Sequence, residues 1–223
     1  MQSFKNLTVI GTSHISIESI KEVREHINKK KPDIIALELD RQRLLSLMSD
    51  KKQKLNPFKM GLKVYVINLI GAYAERKLGD IVGVAPGSEM KTAVTMAKKH
   101  NLKIAVIDQD ISITLKKLSK FITWKEKFRF LGEIITSPFK ARQNKQLLKQ
   151  IDLRKVPPDL LIQKILKKIK KDYPTIYKVL IHERNHIMAN NLKKLICLNS
   201  DKHILAIVGA GHEKEIIQII KRN

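Results

Sequence analysis

Four short aliphatic runs divide this chain of 223 residues, and a stretch with helical periodicity follows each of them. Near-continuous aliphatic runs are typical of parallel strands that are covered on both faces. The runs predict strands at 7–12, 34–39, 103–107 and 204–208. Apolar positions spaced three and four residues apart predict helices at 17–30, 41–49, 88–100 and 175–199. The pattern therefore predicts an α/β fold with a mainly parallel central sheet flanked by helices.

The predicted strands end in residues that are suited to chemistry. The first run leads into Gly11-Thr12-Ser13-His14 and the last into Gly209-Ala210-Gly211-His212, so each ends in a Gly-x-x-His turn. The second and third runs lead into Glu38 and Asp108. Because ligands bind beyond the carboxyl ends of strands in open α/β sheets, we expect these four side chains to meet at one edge. Two histidines and two carboxylates could hold a divalent metal there and activate water.

Each acid near a strand end also has a structural interpretation, as a helix cap or an ion-pair partner. We assign that role to Asp40 and Asp110, which lie two residues beyond Glu38 and Asp108. Glu38 and Asp108 continue directly from an apolar run, and an acid in that position needs a partner. Glu89, near the start of the helix predicted at 88–100, is either an acid that stabilises the helix dipole or a residue of the site.

A second histidine pattern lies in the helix predicted at 175–199. The sequence His182-Glu183-Arg184-Asn185-His186 fits the His-Glu-x-x-His motif of zinc peptidases, with both histidines on one helix face. The motif leaves two positions free, and no further ligand motif follows at the expected distance. We therefore rank His182, Glu183 and His186 as secondary candidates, below the strand ends.

The formal net charge of +23 is concentrated in the middle of the chain. Residues 111–182 hold 18 Lys/Arg and 5 Asp/Glu, a net +13, and we interpret them as a basic helical insertion within a single domain spanning 1–223. Its helical pattern is broken at Ser137-Pro138, at Val156-Pro157-Pro158 and at Tyr173-Pro174.

The basic segment has two open interpretations. Nucleic acid is disfavoured as a partner, because only nine of the 44 basic residues are arginine and no aromatic residues interleave with the basic run as a stacking platform would require. An anionic membrane surface is one interpretation. The other is a lysine-rich composition that reflects genome bias or growth at high temperature.

Three further features bear on compartment and anchoring. The single cysteine, Cys197, excludes an internal disulfide, and the helical pattern around it predicts a core thiol. Met1-Gln2-Ser3-Phe4-Lys5 leads into the first strand without a secretory signal, so we expect a cytoplasmic protein. The apolar run at 64–74 is shorter than the roughly 20 residues that span a bilayer, and it fits a buried helix better than an interfacial membrane helix.

Seven ordered motifs resemble the TraB/PrgY family, which is related to the Tiki proteases and, more distantly, to erythromycin esterase-like and ChaN-like proteins. The match covers nearly the whole chain and is weakest in the basic middle. The motifs are Gly11-Thr12-Ser13-His14, Leu37-Glu38-Leu39-Asp40-Arg41-Gln42-Arg43, Arg76-Lys77-Leu78-Gly79, Gly83-Val84-Ala85-Pro86-Gly87-Ser88-Glu89-Met90, Ile107-Asp108-Gln109-Asp110-Ile111, Glu183-Arg184-Asn185 with Met188-Ala189, and Val208-Gly209-Ala210-Gly211-His212.

The resemblance implies two related halves, each ending a strand in Gly-x-x-His, and a metal-dependent hydrolase that acts on peptides. The metal would be a divalent transition ion (Zn, Mn or Co). The implied site comprises metal ligands and catalytic groups: His14 and His212 as ligands, Glu38 and Glu89 as ligand or general base, and Arg184 as oxyanion stabiliser.

The resemblance also leaves alternatives open. Gln109 stands where family members usually have arginine, which puts activity in question. The rival function is a non-catalytic regulator on the same fold that binds peptides or a membrane surface. Many family members continue into membrane helices, so a membrane domain of a longer protein is a further candidate partner, as is a second copy of the chain in a homo-oligomer.

Overall fold

The fold is an α/β sandwich with a five-stranded sheet at its centre. The computed structural model describes residues 1–13, 16–49, 87–143 and 158–222. The strands are β1 (Gln2–Phe4), β2 (Leu7–Thr12), β3 (Ile34–Leu37), β4 (Lys103–Val106) and β5 (Ile204–Gly209). The helices are α1 (Ile17–Lys30), α2 (Arg41–Ser49), α3 (Ser88–Lys99), α4 (Ile111–Phe121), α5 (Trp124–Gln143), α6 (Asp159–Asp172), α7 (Pro174–Tyr177), α8 (Glu183–Leu198) and α9 (Ala210–Lys221), with a π-helical turn at Lys178–His182.

The sheet order is β1-β2-β5-β3-β4, and all neighbours are parallel except the β1–β2 pair. The last strand of the chain, β5, therefore lies in the middle of the sheet, between β2 and β3. Thr12 pairs with Gly209, and Leu37 pairs with Ile207. This register brings the ends of β2, β3 and β5 to one edge, as the sequence predicts.

Both faces of the sheet are covered, which explains the unbroken aliphatic runs. Side chains alternate along β5: Ile204, Ala206 and Val208 pack with α8 and α9, whereas Leu205 and Ile207 pack with α1 and α3. The two clusters hold the main core of the described residues. The edge strand β1 was not predicted, because its three residues contain a single apolar side chain, Phe4.

Two expectations from the sequence are wrong. The helical break at Ser137-Pro138 is absent, since α5 continues from Trp124 to Gln143. A proline removes one backbone hydrogen bond, which a helix of 20 residues tolerates here. Cys197 is exposed and is not a core thiol. Leu192 and Ile196 lie four residues apart and face the core, so the next residue is turned about 100° away from it.

No helix within the described ranges combines the length and the apolar character needed to cross a bilayer. The apolar run at 64–74 lies outside those ranges, as does the predicted break at Val156-Pro157. The predicted break at Tyr173-Pro174 is confirmed, because α6 ends at Asp172 and α7 begins at Pro174.

A capping box at the start of α5 joins two helices of the basic segment. The amide and the hydroxyl of Thr123 donate to Glu126 Oε2, at 3.0 and 2.8 Å, and the amide of Glu126 donates back to the Thr123 hydroxyl at 3.2 Å. Glu126 Oε1 accepts from the amide of Thr175 at 2.7 Å. This buried carboxylate therefore ties the start of α5 to the start of α7.

We predict that Glu126→Gln destabilises the protein by about 1–3 kcal/mol, because the new amide group must face a backbone or hydroxyl donor. Burial alone would raise the pKa of Glu126, but the hydrogen bonds from Thr123 and Thr175 outweigh it and lower the pKa. The stabilisation is therefore complete above the pKa of an unfolded glutamate and is lost as the pH falls through the lower folded value.

Urea unfolding followed by circular dichroism checks this prediction at neutral and acid pH. The exposed Lys125→Gln is the matched control and should change the unfolding free energy by less than about 0.5 kcal/mol. A Glu126→Gln protein as stable as the control at neutral pH would show that the capping box is not a tie between these helices.

Candidate active site at the carboxyl edge of the sheet

Glu38 is the central side chain of the carboxyl edge. It follows β3 directly, and its amide donates to the carbonyl of Ile207 at 3.1 Å, so the main chain still pairs with β5. Its position continues the alternation of Ile34 and Ala36, which face α8 and α9. The side chain is 4% exposed, and Oε2 accepts from the amide of Gly209 at 2.6 Å. The carboxylate is therefore fixed against the junction of β5 and α9.

Arg184, from the first turn of α8, binds two buried carboxylates at once. Its Nη2 donates to Glu38 Oε1 and, at 2.7 Å, to Asp108 Oδ2. Its Nε donates to both oxygens of Asp108 at 3.2 and 3.3 Å. Its Nη1 donates to the carbonyl of Leu180 at 3.1 Å, in the π-helical turn. One guanidinium thus joins the ends of β3 and β4 to α8.

The two carboxylates raise the pKa of the guanidinium that they bind. Burial alone would lower the pKa of Arg184, but the negative charges of Glu38 and Asp108 and their hydrogen bonds outweigh it and raise the pKa above its usual value. The guanidinium therefore stays charged between the two carboxylates.

His212 extends the cluster into α9. It is buried, and its Nε2 lies 3.4 Å from Glu38 Oε1. Its Nδ1 lies 2.5 Å from the side-chain oxygen of Asn185, and the side-chain nitrogen of Asn185 donates to Glu215 at 2.7 Å. A continuous chain of polar contacts thus runs from Asp108 through Arg184, Glu38, His212 and Asn185 to Glu215.

Several predicted site residues meet here. Glu38, Asp108, Arg184 and His212 come together, and the expectation that the two acids need a partner is confirmed by Arg184. Glu89 is a second buried carboxylate, in the first turn of α3, the helix that covers the other face of the sheet. His14, the expected second metal ligand, lies outside the described residues. Its role and that of Glu89 stay predictions.

The structural acids behave as expected. Asp110 caps α4 by accepting from the amide of Ser112 at 2.7 Å, and Asp40 accepts from the amide of Arg43 at 2.8 Å at the start of α2. Gln109 stands where members of the TraB/PrgY family usually have arginine. Its side-chain amide donates to the hydroxyl of Thr114 at 2.8 Å. Both Asp108 oxygens instead accept from Arg184.

The His-Glu-x-x-His residues lie beside the cluster. The rings of His182 and His186 touch edge to face, with centroids 4.7 Å apart, so they share a helix face. His182 Nδ1 contacts Glu215 Oε1 at 2.9 Å, whereas Glu183 pairs with Lys117 at 2.8 Å on α4. The motif's glutamate is therefore engaged away from its histidines, which is not the arrangement of a zinc peptidase.

Sequence reasoning did not assign roles to Asn185 and Glu215. Asn185 adjoins Arg184 within a recognised motif, and that position was the available signal. Glu215 follows His212 by three residues on α9, and nothing in the pattern distinguishes it from other acids on exposed helices. Across the described ranges, no group of three or more His, Cys, Asp and Glu side chains is arranged to hold a metal ion.

These observations define a class: α/β proteins with a buried arginine–carboxylate–histidine cluster at the carboxyl edge of a parallel sheet. The sequence matches the TraB/PrgY/gumN family over residues 3–222, and the chain belongs to that family. The family resemblance of the motifs is thereby confirmed.

The relatives are longer proteins. The chain is 37% identical to an uncharacterized protein of Methanocaldococcus jannaschii, over 97% of this chain and 54% of that protein. It is 22% identical to a human TraB domain-containing protein and 21% identical to the mouse one, in each case over 83% of this chain and 51% of the relative. The chain thus spans about half the length of the curated relatives it matches.

We predict that Arg184→Met destabilises the fold by about 3–5 kcal/mol, because it leaves two buried carboxylates without their counter-charge. Arg184→Lys should cost less, since it keeps the charge but not the planar fork that reaches both acids. Chemical denaturation gives the values. The matched control is Arg129→Met, whose ion pair with Asp172 is more exposed and should cost about 1 kcal/mol or less. Equal losses for Arg184→Met and Arg129→Met would contradict the central role of Arg184.

Proposed function

We propose that this protein is a metal-dependent hydrolase that acts on peptides at the carboxyl edge of its sheet. The observation that carries the proposal is the placement of His212 Nε2 and Glu38 Oε1, 3.4 Å apart and buried. Membership of the TraB/PrgY/gumN family supplies the fold and the ordered motifs but no reaction. Metal-activated hydrolysis is inferred from the chemistry of these side chains, and peptides as substrates are taken from the resemblance to the TraB/PrgY family and its Tiki relatives.

The donor atoms at this point fit a transition metal. Two ligands about 2.0–2.1 Å from a tetrahedral ion lie roughly 3.3 Å apart, close to the separation of His212 Nε2 and Glu38 Oε1. Histidine ligands usually donate their other ring N–H to an oxygen, as His212 Nδ1 can to Asn185. His212 and Glu38 would hold a Zn, Mn or Co ion together with His14. A bound ion of this kind lowers the pKa of its water toward neutrality.

The remaining residues have roles that follow from their contacts. Arg184 holds the side chains of Glu38 and Asp108 in place, and four of its N–H groups make the bonds described above. One Nη1 hydrogen remains for negative charge that develops on a substrate carbonyl. Glu89, buried at the helix start, would be the general base.

The proposal predicts about one transition-metal ion per chain. His14→Ala and His212→Ala should each lose it, and Glu38→Gln should lower the metal content, because these changes remove ligands. Glu89→Gln should keep the metal and abolish peptide hydrolysis, because it removes a base. Elemental analysis after dialysis, together with cleavage of a peptide library, measures both quantities.

A histidine from the opposite edge of the sheet is the matched control. His203 lies just before β5, where its ring contacts the hydroxyl of Thr8 at 3.1 Å, so His203→Ala should leave the metal content unchanged. If the metal content of His212→Ala equals that of the wild type, His212 is not a metal ligand. A wild-type protein that binds no transition metal would overturn the proposal.

A second candidate function is docking on an anionic membrane surface, as a non-catalytic regulator or in addition to hydrolysis. The observation behind it is a set of exposed aromatic side chains in the basic segment: Phe121, Trp124 and Phe128 are 55%, 71% and 65% exposed. The Trp124 and Phe128 rings lie 5.9 Å apart, and Lys127 Nζ lies 4.4 Å from the Trp124 ring. Apolar rings surrounded by lysines suit the interface of an anionic bilayer. The bilayer surface concerned would be the one that faces the cytoplasm.

We predict that the protein sediments with anionic liposomes at low salt and is released as salt rises. Trp124→Ser with Phe128→Ser should weaken binding at least about tenfold, because two apolar side chains no longer enter the bilayer. Reversing the charge of exposed lysines on α6 (Lys164, Lys167, Lys168 and Lys171) should also weaken it.

Leu198→Ser is the matched apolar control, since Leu198 is exposed at the end of α8, outside the basic segment. It should bind liposomes as the wild type does. If the wild-type protein does not bind anionic liposomes at low salt, the membrane proposal is wrong and the lysines are explained by compositional bias.

A further inference from the structure

A groove between α6 and α9 is lined by positive charge. Its volume of about 560 Å³ lies within the range of small-molecule sites, about 300–1,000 Å³. Lys167 and Lys170 line it from α6, and Lys214 and Arg222 line it from α9 and its C-terminal end. We propose that this groove binds a ligand that carries phosphate groups.

The walls of the groove follow from helix periodicity. Lys167 and Lys170 lie three residues apart and therefore share one face of α6. The groove residues of α9 have the same helical spacing. The two helices approach closely at Gly211, where a Cβ atom would lie 3.7 Å from Leu166 Cδ2. This approach closes one end of the groove and leaves the lysines beyond it at an open cavity.

The two lysines of α6 that line the groove have no carboxylate partner. Within the ranges that the structure describes, neither Lys167 nor Lys170 makes an ion pair, whereas Lys168 on the same helix pairs with Asp172 at 3.3 Å. The Nζ of Lys170 lies instead 5.4 Å from the centroid of the Tyr177 ring, a cation–π contact. Both ammonium groups therefore keep donors for an anion.

Glu215 is the single carboxylate among the described residues that line the groove. Its oxygens already contact three side chains: those of Asn185, His182 and Tyr177, at 2.7, 2.9 and 3.4 Å. Four cationic side chains against one carboxylate leave the groove with a net positive charge.

This charge is a local property and not only a result of the lysine-rich composition. An adjoining cavity of about 740 Å³ shares Lys214 with the groove and has the opposite character. Five carboxylates line that cavity: Glu18, Glu22, Glu25, Asp159 and Glu213. The two sides of the α6–α9 contact therefore differ in charge, and anions are attracted to one of them.

Phosphate fits the donors of the groove. A concave surface lined by one sign of charge focuses the electric field and concentrates ions of opposite sign. A phosphate monoester carries a charge of about −1.5 to −2 at neutral pH and three acceptor oxygens. Each lysine ammonium has three N–H donors, so one phosphate group can accept from several lysines at once.

Isothermal titration calorimetry with inorganic tripolyphosphate tests the proposal in the full chain. In about 0.15 M salt the Debye length is about 8 Å, so distant lysines contribute little. Lys167→Gln with Lys170→Gln should weaken binding at least about tenfold, because charge-assisted hydrogen bonds are lost. The matched control is Lys164→Gln with Lys171→Gln, which removes the same charge from residues turned about 100° away from the groove positions. It should weaken binding less than about twofold.

A second variant leaves every lysine in place. Gln218 lines the groove from the exposed face of α9, so Gln218→Glu adds a negative charge there and should also weaken tripolyphosphate binding. A wild-type protein that does not bind tripolyphosphate would overturn the proposal. Equal weakening in the groove pair and in the control pair would do so as well, because it would show general attraction to a basic helix.

A soluble phosphate compound and a phosphorylated lipid headgroup share this chemistry. Vesicles of phosphatidylcholine that contain phosphatidylinositol 4-phosphate are therefore compared with vesicles that carry the same charge as phosphatidylserine. A preference for the phosphoinositide that the groove pair loses would identify a lipid headgroup, and tripolyphosphate binding without such a preference would identify a soluble ligand. Both outcomes uphold the groove as the site. Neither depends on the proposed hydrolysis, since Glu38 and His212 do not line the groove.

Discussion

The bonds between Arg184 and the two carboxylates of Glu38 and Asp108 are the interaction on which the carboxyl edge depends. Each buried charge carries a desolvation cost of several kcal/mol, and the acids are tolerable there only because one planar guanidinium reaches both. The amide of Gly209 supplies a further donor to Glu38. Removing the arginine would therefore affect the ends of β3, β4 and β5 together.

The sheet order explains why these side chains can meet. Because β5 lies between β2 and β3, the last strand of the chain delivers Gly209 next to Glu38, and α9 then places His212 over the same carboxylate. Glu38 shares the face of α8 and α9, so Arg184 approaches from the layer that also carries His212. The polar cluster sits at the end of an apolar sandwich, where water is excluded and electrostatic attraction is strong.

Much of this arrangement could be predicted from the sequence, because it depends on local patterns. The aliphatic runs mark the parallel strands, and an acid that directly follows such a run must find a partner; Glu38 and Asp108 do so in Arg184. Asp40 and Asp110 cap helices, and a helix cap is a local contact because the acid binds the first turn of the helix that follows it. The features that were predicted wrongly or missed depend on contacts between parts of the chain that are distant in sequence. The exposure of Cys197 follows from where the helix contacts the sheet, and the link from Asn185 to Glu215 joins residues 30 positions apart on separate helices.

The basic segment contacts the cluster at the π-helical turn between α7 and α8 and through Tyr177 of α7. The carbonyl of Leu180 in that turn accepts from Arg184, and His182 at its end contacts Glu215. Just before it, α7 is tied to α5 through Glu126 and Thr175. Such wide turns are irregular and often lie at functional sites. Through this turn the basic segment contacts Arg184 and Glu215, whose other partners include Glu38 and Asn185.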